Sequence, residues 1–89
     1  MPTVHFTNHL QKFTACEPVQ VSGQTVEEVL QEALADKPQL RTYVLDEQDQ
    51  LRRHMTIFVD GRIIADRVKL SDMVGPDSEV YVMQALSGG

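Results

Sequence analysis

The chain has 89 residues, of which 42% are hydrophobic and 24% charged, with a formal net charge of −5. That length sets a prior of one domain with little room for a deep catalytic cleft, and the balance is that of a globular rather than a disordered chain. The acidic charge argues against a nucleic-acid partner, which needs a basic face; no stretch approaches the ~20 apolar residues of a membrane helix; and a single cysteine, Cys16, excludes an internal disulfide. Met1-Pro2-Thr3-Val4-His5 lacks the basic start and apolar run of a secretory leader. We therefore expect a cytoplasmic protein with no membrane partner.

Thr3 to Thr7 reads as a first strand, with Val4 and Phe6 on one face and His5 on the other. Asn8 to Pro18 reads as a loop, Val19-Gln20-Val21 as a short second strand, and Ser22-Gly23 as a break. Thr25-Val26-Glu27-Glu28 is a capping-box sequence. After it Val26, Val29, Leu30, Ala33 and Leu34 recur at helical spacing, and Pro38 is expected to stop the helix. Leu40, Tyr43 and Val44 could make one helical turn, followed by a polar loop, Asp46 to Gln50. Met55 to Val59 reads as a strand. Asp60-Gly61 signals a type I′ hairpin, whose two central positions need positive φ, and Arg62-Ile63-Ile64 returns. Leu70 to Gly75 is irregular, Pro76-Asp77-Ser78 is a turn, and Glu79 to Gln84 is the last strand, before Ala85-Leu86-Ser87-Gly88-Gly89.

One amphipathic helix among five strands must bury its stripe against one face of one sheet. The expected fold is therefore α+β, a ubiquitin-like β-grasp: one mixed sheet on one main helix, residues 1–84, followed by a flexible extended Gly-Gly tail, residues 85–89. Val4, Phe6, Ile57, Val59, Val80 and Val82 should face the helix. His5, Phe58, Tyr81 and Met83 should then share the opposite face, where exposed Phe, Tyr and Met make a partner-docking patch. The alternative is that these side chains cover each other or that Leu40 to Leu51 folds over them.

The sequence resembles the MoaD/ThiS family of sulfur carriers along most of its length, with a middle segment nearer the longer MoaD-like and CysO-like members. The resemblance rests on Gln24-Thr25-Val26-Glu27-Glu28-Val29-Leu30, Leu45-Asp46-Glu47, Leu51-Arg52-Arg53-His54, Ile57-Phe58-Val59-Asp60-Gly61, Asp77-Ser78-Glu79-Val80 and the terminal Gly88-Gly89. Ser87 stands where many carriers have alanine, and Thr14-Ala15-Cys16 lacks the glycines usual there. The resemblance implies that a ubiquitin-activating-type enzyme, using ATP and Mg, adenylates the Gly89 carboxylate. A sulfur donor protein then converts it to a thiocarboxylate, and a downstream synthase takes the sulfur for molybdopterin, thiamine or cysteine biosynthesis. The chain itself would bind no cofactor and would not be an enzyme. Gly89 and Gly88 would carry the chemistry, and Leu86 and Ser87 would join Phe58, Tyr81, Met83 and His5 in partner contact.

The requirements of that chemistry fit the terminus. An α-carboxyl group with a pKa of roughly 3.3–3.7 is ionised near neutrality and is a poor electrophile until activated. Five extended residues reach roughly 16–18 Å, and glycines have no side chains to clash in a narrow channel; the free tail should be mobile. Competing readings are a protein modifier joined to lysines through Gly89, and a docking subunit that never uses its tail. Cys16 has no assured cationic neighbour to activate it. His5, His9 and His54 match no zinc spacing, and Arg52-Arg53 reads as a solvated rim.

Overall fold

The computed structural model describes residues 1–6 and 18–84. The expectations for Thr7, His9, Cys16 and the tail residues Leu86, Ser87, Gly88 and Gly89 lie outside the described residues. The described residues form five strands: β1 (Thr3–Phe6), β2 (Val19–Gln20), β3 (Met55–Val59), β4 (Arg62–Ile63) and β5 (Glu79–Gln84). They form one mixed sheet in the order β2-β1-β5-β3-β4. The first and last strands lie side by side and parallel at its centre, with Val4 opposite Val80 and Phe6 opposite Val82. The other pairings are antiparallel. The sheet and its two helices make the expected ubiquitin-like β-grasp.

Helix α1 (Val26–Ala33) buries Val26, Val29, Leu30 and Ala33, the stripe its spacing predicts. Thr25 caps it from an extended conformation, its hydroxyl accepting from the Glu28 amide at 3.3 Å. The Glu28 carboxylate turns back to the Gln24 amide at 2.8 Å, one residue before the cap. The remaining first-turn donors are met from outside the helix: the Val26 and Glu27 amides donate to the carbonyls of Asp72 and Leu70. Leu70 holds a φ of 55° to do this while its side chain is buried, a conformation that costs on the order of 1–3 kcal/mol in a non-glycine residue. Gly23 lets the chain cross close to α1, since a Cβ there would lie 2.7 Å from Glu28 Cβ.

One expectation is overturned. Pro38 does not stop α1, which ends at Ala33 with Leu34 as its cap. It opens a second helix, α2 (Pro38–Val44), longer than the single turn expected from Leu40. Proline suits that first position because its missing N–H would have no intrahelical partner anyway. Leu40, Val44, Leu45 and Leu51 join the core with the α1 stripe and with Val4, Phe6, Met55, Ile57, Val80 and Val82 from the sheet. The segment Leu40 to Leu51 thus packs on the core. Val59, expected in the core, is only partly buried at its edge.

The Asp60-Gly61 hairpin has φ values of 51° and 85°, the positive pair a type I′ turn requires. The irregular stretch after β4 is ordered by two carboxylates. Asp72 accepts from the amides of Ala65 and Asp66, and Asp66 accepts from those of Val68 and Lys69 and from the Ser71 hydroxyl at 2.5 Å. The Ser71 hydroxyl and the Lys69 amide favour the charged form of Asp66 and lower its pKa to about 2.

Candidate functional site

β5 is the last described element before residues 85–89, and its two ends are held differently. At its start, Ser78 is buried; its hydroxyl accepts from the Gly75 amide and donates to Asp60 Oδ2, both at 2.8 Å. Asp60 Oδ1 accepts from the Glu79 amide at 2.9 Å, and this bond and the Ser78 hydroxyl hold the Asp60 carboxyl below its usual pKa. The Thr3 amide donates to the Ser78 carbonyl, and the Asp60 amide to the Glu79 carbonyl. At its end, Gln84 pairs in register with Met55, and its side-chain oxygen accepts from the Tyr43 hydroxyl at 3.1 Å.

The alternation of β5 places Val80 and Val82 in the core and Tyr81 and Met83 on the other face. Register then assembles a row across four strands. Tyr81 lies opposite His5 on β1 and Phe58 on β3, and Phe58 lies opposite Ile63 on β4. His5 stacks on Tyr81, with ring centroids 4.4 Å apart and planes 10° apart. Met83 lies opposite Thr56 in the next position. Tyr81 is 38% exposed and Ile63 60%, while His5, Phe58 and Met83 are half-buried. The four residues expected to share this face do share it. Ile63 extends the row and was missed: in the doublet Ile63-Ile64, alternation does not say which one turns outward, and a two-residue strand is too short to decide. Ile64 is the buried member.

The face is acidic at its margin. Glu79 Oε1 stands 3.5 Å from His5 Nε2, too far for a firm hydrogen bond. The histidines do not gather: His5 stacks on Tyr81, and His54 sets an edge against Tyr43 at 4.6 Å. No group of three metal-ligating side chains occurs among the described residues, and none of the described helices is long and apolar enough to cross a membrane. Arg52 is half-buried, and its Nε donates to the Thr42 carbonyl at 2.7 Å, tying α2 to the approach of β3; Arg53 is exposed.

The profile of the ThiS family matches residues 4–89, nearly the whole chain. The chain belongs to the ThiS family. Members of this family are small ubiquitin-like sulfur-carrier proteins. Among solved structures, CysO from Amycolatopsis orientalis, in a BexX/CysO complex, is 21% identical with a TM-score of 0.83 and 100% of each chain covered. Small archaeal modifier protein 1 from Methanosarcina acetivorans is 20% identical with a TM-score of 0.82, over 99% of this chain and 95% of that one. CysO from Mycobacterium tuberculosis is 20% identical with a TM-score of 0.80, over 97% of this chain and 100% of that one. At such identities the likeness speaks for the fold. No curated protein matches the sequence.

Proposed function

We propose that this ThiS-family chain carries sulfur as a thiocarboxylate on Gly89 and is not itself an enzyme. The observation that carries the reading is the family match running to Gly89 over a β-grasp with β5 (Glu79–Gln84) as its central strand. The five residues after Gln84, when extended, would carry the Gly89 carboxylate roughly 16–18 Å from the folded body.

The chemistry proceeds in balanced steps. A Gly89 carboxylate oxygen attacks the α-phosphorus of ATP in an adenylating enzyme that uses Mg, and pyrophosphate leaves. The terminal sulfur of a donor's persulfide attacks the acyl carbon, and AMP departs with the C–O electron pair. A thiol reduces the resulting acyl disulfide to the thiocarboxylate and is itself oxidised to a disulfide. A downstream synthase takes the sulfur and returns the carboxylate; molybdopterin, thiamine and cysteine biosynthesis are the candidate routes. The row His5, Tyr81, Phe58 and Ile63, with Met83 beside it, serves as the docking face, as aromatic and methionine side chains are favoured at interface centres. Leu86 and Ser87 make contact within the partner's channel, and Gly88 clears it. That CysO from Amycolatopsis orientalis forms a complex with BexX supports a partnered role.

The similarity to a small archaeal modifier protein favours one second reading, conjugation of Gly89 to lysines. Intact mass of the untagged protein from its own cells separates the two. A species heavier by one oxygen-to-sulfur exchange, missing from a Gly89 deletion, supports the carrier. Lysine-linked adducts without that species support the modifier.

A further inference from the structure

The pole where the tail departs holds a side-chain arrangement that neither the docking face nor the terminal glycines account for. The Tyr43 hydroxyl donates to Gln84 Oε1 at 3.1 Å, across 41 residues of sequence. Gln84 on β5 is paired with Met55, the first residue of β3. Tyr43 is itself held in place: the edge of the His54 ring meets it at 4.6 Å and 62°. Its helix is fixed by Arg52 through the Thr42 carbonyl. Arg67 Nη2 in turn donates to the carbonyls of Arg52 and Met55, at 2.9 and 2.7 Å, and Met55 is the register partner of Gln84. Two arginines, a histidine and a helix therefore converge on one strand end.

Pairs at the end of a ladder open more readily than those at its centre. If Gln84 leaves its pairing with Met55, the chain beyond the folded body lengthens by roughly 3.3–3.6 Å and Gly89 ranges over a larger volume. A misplacement of about 1 Å can cost a hundredfold in a reaction that depends on near-attack geometry. We propose that Tyr43 is a positioning residue: its hydrogen bond to Gln84 holds that residue in its pairing with Met55 and so sets the reach of Gly89 in a partner's active site. The proposal rests on the carrier reading. Tyr43 acts through Gln84.

The test is the rate at which the adenylating enzyme and ATP form the acyl-adenylate on full-length carrier variants. Tyr43→Phe removes only the hydroxyl and should lower kcat about threefold to tenfold, the worth of one hydrogen bond, with the carrier's KM unchanged because the docking face is intact. Gln84→Leu should match it, and the double variant should fall no further. Gln84→Glu keeps an acceptor and should retain the rate. Amide exchange at Gln84 should quicken in Tyr43→Phe and Gln84→Leu alone. Wild-type kcat in both single variants, additive losses in the double variant, or a rise confined to KM would each overturn the proposal. The two Gln84 variants decide the matter if Tyr43→Phe does not fold. Deletion of Gly89 in the same assay keeps the two ideas apart: if it leaves adenylation intact, the carrier reading fails, whatever Tyr43 does.

Discussion

The two ends of β5 are held by different means. The start is held at Ser78, Glu79 and Asp60 by five side-chain and backbone bonds of 2.8–3.0 Å, four of which engage main-chain groups. The end is paired with Met55 and bonded by the Tyr43 hydroxyl on α2. The two ends thus use different parts of the molecule: the start is locked to β1 and to the turn between β3 and β4, and the end is pinned through α2.

The sharpest challenge to this division is deletion of Gly89. It should abolish thiocarboxylate formation while leaving the thermal unfolding midpoint unchanged; a large fall in Tm would mean the tail end carries stability after all. At the other end, Ser78→Ala leaves the Gly75 amide without its acceptor and should destabilise by about 1–3 kcal/mol. That lowers Tm by roughly 10 °C, and the folded fraction should keep its acyl transfer. Between the ends, Tyr81→Ala should raise the carrier's KM for its adenylating partner about tenfold with little change in kcat, measured by steady-state kinetics. The smallest effect concerns Asp66. Its pKa of about 2 lies below the ordinary aspartate value. Its contribution to stability is therefore present above pH ~4 and is lost as the pH falls toward about 2. Asp66→Asn should flatten that part of the acid-unfolding curve, and the change should be small because the group is solvent-screened.

Local rules made much of this legible. The Thr25 cap, the α1 stripe, the Asp60-Gly61 hairpin and the alternation of β5 each depend on neighbours within a few residues, and each is present. The opposite face followed from the same alternation, which is why His5, Phe58, Tyr81 and Met83 come together. What sequence did not reveal depends on distant partners. The Pro38 ring is compatible with ending one helix or beginning another, and only the packing of Leu40 and Val44 decides. Leu70 has a conformation that its own side chain disfavours, imposed by the Glu27 amide it serves. Ile63 took its outward place from pairing with Phe58, and the Tyr43–Gln84 bond joins two segments with no periodic relation. Leu86, Ser87, Gly88 and Gly89 lie outside the described residues, so their roles rest on the family and on the reach of the chain.

The parallel pairing of β1 with β5 also bears on how the molecule is made. A sheet whose central seam joins its first and last strands cannot close while the chain is still emerging from the ribosome; β1, β2 and the helices must wait for β5. Such long-range closure slows folding relative to locally wired domains of the same size. It also means that a chain cut short before Glu79 has no partner for the central edge of β1, leaving Val4 and Phe6 uncovered as a mark of incompleteness for proteases to recognise. A truncation before Glu79 therefore removes the central seam of the sheet together with every residue that follows it.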